Sequence, residues 1–393
     1  MLKQVKNNFK KFLASHMDLK PLERFVPDIN LDCIGHQKRV LVAYLDYFRT
    51  SRDVAGETVH TNRYELFQII NAFIRMNCVI DVCAYDDEEA LEIVRSKEYD
   101  IIFGMGKVFR EAINTHPDSF SILYLTESPY ELSLQREQER IDYLYERRNI
   151  HWDLYRTGRV FDKDDEKRAD AVICMSDTAY LRDIGKPAYR IYPHALHNQK
   201  FTNNFAHKKK ENFLVLGTAG FVHKGIDILV EVFIKHPDWQ LYLCGHDLPV
   251  ILKKLGYNTP IANIHDCGYV DVHGEKFLML AEKCVYILLP SCAEGMPTGI
   301  LTGMRHGMIP IVTEGIGMDV LEQYCMFFEG YKADTVEQNL IQELEIPMEQ
   351  LQRKSQEIYE FANKQFTLEQ FTDDLQDILG KIWEERFGES STS

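Results

Sequence analysis

The stretch that decides the fold runs from Cys284 to Thr313 and reads CVYILLPSCAEGMPTGILTGMRHGMIPIVT. An apolar strand leads into a loop with Glu294 and Gly295, and a helix is expected to begin near Pro297, because proline early in a helix is a common start signal. Gly307 marks the end of that helix before the next strand. This order is typical of an open parallel α/β sheet, whose ligands bind at the carboxyl ends of the strands. The free amides of the helix start would donate hydrogen bonds to a phosphate there.

A second segment of the same kind is FLVLGTAGFVHKGIDILVEVF, at residues 213–233. A strand ends in a glycine-containing turn, and the pair Lys224 and Gly225 directly precedes an amphipathic helix. A cation held at the carboxyl end of a strand suits a diphosphate leaving group. Each segment also has a purely structural interpretation: the first as a helix-capping loop in which Glu294 is incidental, the second as a solvated lysine beside a helix.

The rest of the chain continues the alternation of short apolar runs and amphipathic stretches that parallel strands covered by helices produce. One series begins with RVLVAYL at residues 39–45, and another begins near Asn212, after a polar run at 197–212 that is a plausible interdomain linker. A length of 393 residues also exceeds what one hydrophobic core usually organises. We therefore predict two α/β domains in tandem. The expected division is an N-terminal extension at 1–38, a first domain at 39–205, a second domain at 206–365, and a C-terminal helix and tail at 366–393.

The composition fits a globular protein and argues against several classes. Hydrophobic residues make up 45% of the chain, and 60 Asp and Glu against 45 Lys and Arg give a net charge of -15, which disfavours a general nucleic-acid binder. The nine cysteines form no CxxC pair and no cluster at zinc spacing, as is typical of buried thiols in a reducing compartment. No apolar run reaches the ~18 residues of a membrane span, and the amino terminus lacks a signal-peptide pattern. We expect a cytoplasmic protein.

The amino terminus carries a weaker signal. Residues 2–13 would place five apolar side chains on one face of a helix, with four lysines in the same segment. Such a helix would make peripheral contact with the anionic inner face of a membrane. The alternative is a helix packed on the first domain, or a frayed tail.

Two charged stretches are interpreted as solvated helices. Residues 135–148 mix both signs of charge and suggest no chemistry. Asp162 and Asp164 have the DxD spacing of some divalent-metal sites, yet they lie in the charged run FDKDDEKRAD. We predict no metal site there and no bound cofactor.

Taken together, the two glycine-containing segments resemble the retaining glycosyltransferases of family 4. That family's motif (P)S..EG.P....L..M..G.P.V.T matches residues 290–313 in order and spacing, and the Lys-Gly pair and YLCG at 242–245 match earlier motifs. In the first domain, Gly56–Phe73 resembles the family's glycine loop and following helix. ADAVICMSD at 169–177 and YPHALHNQKF at 192–201 resemble the segments that end that domain. The resemblance covers roughly residues 39–385, strongly in the second domain and loosely in the first.

The resemblance implies the GT-B fold, in which two Rossmann-like domains face a central cleft and a C-terminal helix packs back on the first domain. It implies transfer of a sugar from a nucleotide diphosphate sugar, UDP- or GDP-linked, to a glycan or lipid-linked acceptor. The anomeric configuration would be retained without a metal, and without a protein nucleophile, because a donor phosphate oxygen takes the acceptor proton. The alternatives are a nucleotide-sugar epimerase or a phosphorylase on the same fold, or a catalytically silent GT-B protein that binds a partner glycosyltransferase.

The same resemblance assigns site residues. Glu294 and Lys224 are the predicted catalytic residues: Lys224 would neutralise the departing diphosphate, and Glu294 would hold sugar hydroxyls. His60 and Glu127 are candidates on the acceptor side. The predicted donor-binding residues are Gly56, Gly220, Lys224, Gly245, Tyr269, Val270, Glu294, Gly295, Met296, Pro297, Thr298, Gly299 and Thr302.

Two positions depart from the family pattern. The second of the family's paired glutamates should stand at residue 302, which is Thr302. The arginine that commonly precedes the Lys-Gly pair would fall at Ala219, so that one expected cation on the diphosphate is missing. We expect His223 or Arg305 to supply it. These departures fit either a subfamily or an enzyme that has lost activity.

Overall fold

The computed structural model describes residues 25–32, 35, 38–46, 61–217, 220–257 and 260–388, and these form two α/β units. The first sheet has the strand order β1-β3-β2-β4-β5-β6-β7, in which β1 is antiparallel to β3 and the other neighbours pair in parallel. Its strands are β1 (Phe25–Ile29), β2 (Arg39–Tyr44), β3 (Val79–Ala84), β4 (Ile101–Gly104), β5 (Phe120–Leu125), β6 (Ala171–Cys174) and β7 (Ala188–Arg190).

The second sheet is parallel throughout, in the order β10-β9-β8-β11-β12-β13. Its central pair, β8 and β11, joins the two segments that the sequence singled out. The strands are β8 (Lys209–Leu216), β9 (Gln240–Cys244), β10 (Ile264–Gly268), β11 (Cys284–Leu289), β12 (Ile309–Thr313) and β13 (Met326–Phe328).

Helices follow most of the strands and cover both sheets. In the first unit they are α1 (Thr61–Arg75), α2 (Ala90–Ser96), α3 (Gly106–Thr115), α4 (Tyr130–Arg148), α5 (Asp165–Arg168) and α6 (Thr178–Asp183). After residue 208 they are α7 (Ile226–Lys235), α8 (Leu248–Lys254), α9 (Glu275–Lys283), α10 (Thr298–Met304), α11 (Ala333–Glu345), α12 (Met348–Gln365) and α13 (Leu368–Phe387). The α/β prediction is confirmed.

Burial explains the central strands. Val40 to Tyr44 in β2 and all six residues of β11 are buried, as expected for parallel strands covered on both faces. The C-terminal helix α13 packs against α1 of the first unit, as predicted, and Tyr189 of β7 donates a hydrogen bond to Glu385 at 2.9 Å. The chain therefore returns to the first unit after completing the second.

The strand β1 was not predicted. It lies within the expected N-terminal extension and is short, carrying Pro27 and Asp28 in FVPDI. Its edge position explains this composition, because an antiparallel edge strand tolerates a proline that a central strand would not. The backbone amide of Asp28 donates to the buried Asp81 carboxylate at 2.8 Å, which fixes the edge strand to β3.

The polar run at 197–212 lies between the last strand of the first sheet and the first strands of the second, and several of its residues are packed. Its last residues already belong to β8. The Lys208 ammonium is buried and donates to the carbonyls of Ala281 and Cys284 at 2.8 and 3.0 Å. Asn198 is also buried, and its amide donates to the Val272 carbonyl at 3.0 Å. Buried and exposed polar residues therefore alternate along this run.

The interpretation of residues 135–148 as a solvated helix is also wrong. The helix α4 lies against the second unit, where Arg147 donates to the Asp227 carboxylate at 2.6 Å. Arg140 is buried and donates to the Pro290 carbonyl at 2.7 Å. Mixed charges along a helix indicate ion pairs but not their partners, and these partners lie far away in the chain.

Candidate functional site

A cleft of about 350 Å³ lies between the two sheets, where the carboxyl ends of their central strands meet. This is the position at which open α/β sheets bind ligands. The first unit lines it with Tyr44, Leu45, Thr61, Asn62, Glu65, Tyr85, Met105, Thr126, Glu127, Arg156, Val160, Met175 and Pro193. The second unit lines it with Leu216, Gly217, Lys224, Leu289, Glu294, Gly295, Met296, Pro297, Thr298 and Gly299.

The two residues predicted to be catalytic meet in this cleft. The Lys224 Nζ donates to Glu294 Oε1 at 2.6 Å, and the Ser291 hydroxyl donates to the same oxygen at 2.9 Å. Lys224 and Glu294 are each only 7% exposed. Gly225 permits this approach because its φ is 68° and a Cβ there would lie 2.5 Å from the Pro290 carbonyl oxygen. The two segments, 70 residues apart, thus form one site.

Glu294 is ionised at neutral pH. Burial by itself raises the pKa of a carboxyl, but the charges of Lys224, Arg156 and His223 outweigh it and lower the pKa of Glu294 to about 2. A carboxylate held this firmly by cations is a poor general base at neutral pH. Its remaining capacity is to accept hydrogen bonds from hydroxyl groups of a ligand.

The loop that carries Glu294 is seated against the first unit. A Cβ on Gly295 would overlap the Thr126 carbonyl oxygen and lie 3.3 Å from Glu127 Cα, so only glycine fits. The Ser128 hydroxyl donates to the Glu294 carbonyl oxygen. The glycine after the glutamate therefore serves the contact between the two units as well as the cleft.

Arg156 is a cleft residue that the sequence did not reveal. Its Nη2 donates to Glu127 Oε1 at 2.7 Å and lies 3.9 Å from Glu294 Oε2. It belongs to the irregular segment between α4 and α5, and its immediate neighbours at 149–160 match no motif. Glu127, predicted on the acceptor side, does line the cleft, and Arg156 is its ion-pair partner there.

A single buried carboxylate holds the Arg156 segment in place. Glu137 of α4 is 1% exposed and accepts hydrogen bonds from the backbone N–H groups of Tyr155, Arg156 and Thr157 at 2.9 to 3.0 Å. It also lies 3.4 Å from the His223 imidazole of the second unit. Burial raises the pKa of a carboxyl, but the hydrogen bonds from His223 and from these amides prevail and keep the pKa of Glu137 well below its usual range.

His223 links the two units next to Lys224. Its Nε2 lies 2.6 Å from the Ala293 carbonyl oxygen, and its Nδ1 contacts Cys292 Sγ at 3.2 Å. Burial lowers the pKa of an imidazole, yet the contacts with Cys292 and Glu137 raise the pKa of His223 to about 10. The imidazolium is thus a framework group beneath the Glu294 loop.

A second polar cluster lies on the first-unit side of the cleft. Glu65 of α1 is buried, accepts hydrogen bonds from the Tyr44 and Tyr124 hydroxyls at 3.3 Å, and lies 3.8 Å from His194 Nδ1. Burial and the neighbouring carboxylate raise the pKa of both tyrosines well above the usual range, so both remain protonated donors. Tertiary packing brings these four residues together. Glu65 and His194 lie in segments that resemble family motifs, but the sequence assigned neither of them a role.

The predicted donor residues fall into three groups. Lys224 and the run Glu294–Gly299 line the cleft. Gly56 lies outside the described residues, as do the acceptor-side candidate His60 and the predicted helix at 2–13. The remaining residues are elsewhere: Gly220 lies beside Tyr155, Gly245 donates its N–H to the Gly268 carbonyl, Tyr269 is 74% exposed, and Val270 and Thr302 are buried.

The two residues expected to supply the missing cation, His223 and Arg305, are not part of the cleft lining. Arg305 donates to the backbone carbonyls of Ala195 and Phe366, so that expectation is wrong. His223 is close to Lys224, but it supports the loop from below. In the described cleft lining, the cation beside Lys224 is Arg156.

Two further observations concern metal ions and membranes. Within the described ranges, no group of three or more His, Cys, Asp or Glu side chains could hold a metal ion. The backbone N–H of Asp162 is bound by Asp165, whose carboxylate pairs with Arg110 at 2.7 Å. No helix in the described part of the chain is long and apolar enough to cross a membrane.

The two units and their cleft have the GT-B fold, which similar solved structures confirm. Sucrose-phosphate synthase of Thermosynechococcus elongatus has a TM-score of 0.60 at 13% identity, over 89% of this chain and 100% of that one. HepE of Anabaena, in complex with UDP and glucose, has a TM-score of 0.53 at 13% identity, over 88% of this chain and 100% of that one.

A third structure covers less of its own chain. The pneumococcal O-GlcNAc transferase GtfA, in complex with UDP and GlcNAc, has a TM-score of 0.51 at 13% identity, over 75% of this chain and 59% of that one. No family model and no curated protein matches the chain. At such low identity these similarities establish the fold, and the function must be argued from the site.

Proposed function

We propose that the protein is a glycosyltransferase that moves a sugar from a nucleotide diphosphate sugar, UDP- or GDP-linked, to a glycan or lipid-linked acceptor. The observation that carries this proposal is the Lys224–Glu294 pair, which two distant segments bring together at 2.6 Å in the cleft. Two of the structural neighbours, HepE and GtfA, were each solved with UDP and a sugar, which supports the same class of substrate.

The proposed step needs a group that stabilises the leaving diphosphate. The bond between the sugar's anomeric carbon and the diphosphate oxygen breaks, and the bond to the acceptor oxygen forms. Lys224 offsets the negative charge that develops on the diphosphate, and preorganised donors of this kind supply much of the rate enhancement in such reactions. The backbone amides of Thr298 and Gly299, in the same cleft lining, would add to this. Glu294 accepts hydrogen bonds from the sugar hydroxyls.

We propose that the reaction retains the anomeric configuration. The acceptor proton passes to an oxygen of the departing diphosphate, so that no protein base is required. The low pKa of Glu294 supports this route, because that carboxylate is bound to Lys224 and Ser291 and would abstract a proton poorly. Attack and departure on the same face of the sugar would follow, without a covalent enzyme intermediate.

The acceptor is proposed to bind the first-unit side of the cleft. Glu65, Glu127 and Thr61 present polar groups there, and the Tyr44 and Tyr124 hydroxyls fix the Glu65 carboxylate. Carboxylates that accept hydrogen bonds are suited to hydroxyl-rich ligands such as a glycan. His60 remains a candidate beside them, since it precedes α1 directly in the sequence.

Ligand binding tests the proposal most directly. We expect UDP or GDP to raise the melting temperature of the purified protein, because a ligand that binds only the folded state stabilises it. UMP and GMP should have a smaller effect, since they lack the second phosphate. A protein that binds neither diphosphate would instead be the catalytically silent alternative. Release of an epimerised sugar without an acceptor would favour an epimerase, and release of a sugar phosphate that requires inorganic phosphate would favour a phosphorylase.

Metal independence and location need separate assays. If Lys224 and backbone amides hold the diphosphate, transfer should survive excess chelator, whereas loss of activity that manganese restores would contradict the proposal.

For the predicted helix at residues 2–13, sedimentation with anionic liposomes should fall after truncation and in high salt, because each lysine near such a surface contributes about 1 kcal/mol. If the full-length protein does not sediment with anionic liposomes at low salt, the proposed contact with the cytoplasmic face of a membrane is wrong.

A further inference from the structure

The proposed donor site lacks one cation. Ala219 stands where the resemblance places an arginine for the diphosphate, and it lies outside the described residues. We propose that Arg156 supplies this cation from the opposite side of the cleft and binds the sugar-bearing β-phosphate together with Lys224. The inference rests on the proposed function and adds to it a donor-binding residue from the first unit.

The distances place Arg156 and Lys224 around the same carboxylate. Lys224 Nζ lies 2.6 Å from Glu294 Oε1, and Arg156 Nη2 lies 3.9 Å from Glu294 Oε2. Glu294 is the residue proposed to hold the transferred sugar. A phosphate joined to that sugar must therefore lie close to both cations, which would contact it from two sides.

The guanidinium has unused hydrogen-bonding capacity. Among the described residues, the Arg156 side chain makes one hydrogen bond, from Nη2 to Glu127, although a guanidinium carries five N–H donors. The side chain is 25% exposed at the cleft, so a ligand can reach it. The planar fork matches two phosphate oxygens, which makes arginine the usual residue for bidentate phosphate binding.

The position of Arg156 is fixed through its backbone. The buried Glu137 carboxylate accepts hydrogen bonds from the backbone N–H groups of residues 155–157, and the same carboxylate contacts His223, the residue before Lys224. One framework group thus orients both cation-bearing segments. A preorganised cation is what a binding site for a developing anion requires, because no reorganisation is then needed during the reaction.

A purely structural role for Arg156 explains less. Its ion pair with Glu127 is partly exposed on both sides, and such pairs contribute little to stability. The segment is already held by Glu137 without the side chain. Removing the guanidinium should therefore leave the fold intact, and this makes a binding test meaningful.

Isothermal titration with UDP and UMP, and with GDP and GMP, tests the inference on Arg156→Gln. We expect this variant to bind the diphosphate about tenfold to a hundredfold more weakly than the unmodified protein, as loss of a hydrogen bond to a charged group implies. The affinity for the monophosphate should change by less than about threefold, because the monophosphate has no β-phosphate. Arg156→Lys keeps the charge without the fork and should give an intermediate diphosphate affinity.

The matched control is Arg159→Gln, in the same segment, where the side chain is exposed and stacks on Tyr155. It should bind both nucleotides as the unmodified protein does. Equal weakening for the monophosphate and the diphosphate in Arg156→Gln would overturn the inference, as would unchanged diphosphate affinity with a raised KM for the acceptor, which would place Arg156 on an acceptor anion. If the unmodified protein binds neither diphosphate, the proposed function itself fails.

Discussion

The two units build the cleft in different ways. The second unit supplies Lys224 and Glu294 from short segments in which a strand, a turn and a helix follow one another directly. The first unit supplies Arg156 through a long-range framework, because Glu137 lies 19 residues earlier and also faces His223 of the second unit. A local motif can therefore specify reactive groups on one side of a site, while packing alone specifies those on the other.

The largest expected effect concerns Lys224, which the second unit supplies from a short local segment. Replacement of Lys224 by alanine should lower glycosyl transfer by about two to three orders of magnitude, as loss of one preorganised donor to a developing charge typically does. Steady-state kinetics with a nucleotide sugar measure the change. The control is Lys235→Ala, which removes an exposed lysine at the end of α7 and should leave turnover unchanged. Near-normal turnover in Lys224→Ala would contradict the diphosphate role.

The next effect concerns Glu137, which holds the Arg156 segment through long-range contacts. Glu137→Gln should lower the free energy of unfolding by about 3 kcal/mol, because it removes a buried charge from its hydrogen-bonding partners. Denaturant titration measures this, and Glu146→Gln, an exposed position on the same helix, should change stability little. If Glu137→Gln is as stable as the Glu146 variant, the framework does not hold the Arg156 segment.

A smaller effect is expected where α4 meets the second unit. A double-mutant cycle on Arg147→Ala and Asp227→Asn should give a coupling energy of about 2 kcal/mol, since the pair is largely buried and its atoms are 2.6 Å apart. Additive losses would show that α4 and α7 contribute independently. The exposed pair of Arg95 and Glu111, 3.3 Å apart in the first unit, is the control and should couple by less than about 1 kcal/mol.

Measured per pH unit, the smallest effect is a dependence of stability on pH that joins the two halves. The pKa of His223 is raised to about 10 from an ordinary value of 6.5, so the unfolded state releases its proton first as pH rises. Stability from this group is therefore full below about pH 6.5 and is lost toward pH 10, with a slope of at most about 1.4 kcal/mol per pH unit. Denaturation at several pH values should show this slope, and His223→Gln should remove it. Equal slopes in both proteins would contradict the assignment of a charged His223.

Much of this architecture is predictable from local patterns. The segment at residues 284–313 predicts β11, α10 and β12 in order, because proline and glycine punctuate the helix and the strands are uniformly apolar. The same reasoning brings Lys224 and Glu294 to one edge of the sheet, where they form their ion pair. What is predictable is carried by residues close together in the chain.

The parts that sequence reasoning missed depend on distant contacts. The short β1 carries a proline and an aspartate that lower its strand propensity, and pairing with β3 overrides this. Residues 135–148 look solvated because their charges balance, yet Glu137 and Arg140 are buried, with partners 86 and 150 residues away in the chain. Arg156 lies in an irregular stretch, residues 149–160, that matches no motif, so only the three-dimensional cleft reveals it.

The docking of α4 on the second unit has a consequence for how the chain is made. Arg147 is synthesised 80 residues before its partner Asp227, a delay of roughly 4 to 16 s at ordinary rates of translation. During that interval Arg147 and Arg148 lack their carboxylate partners Asp227 and Glu231, and the carbonyl that receives Arg140 is translated later still. The first unit therefore leaves the ribosome before the surface on which α4 packs has been made. If that unit were expressed alone, this face of α4 would stay without its partners from the second unit.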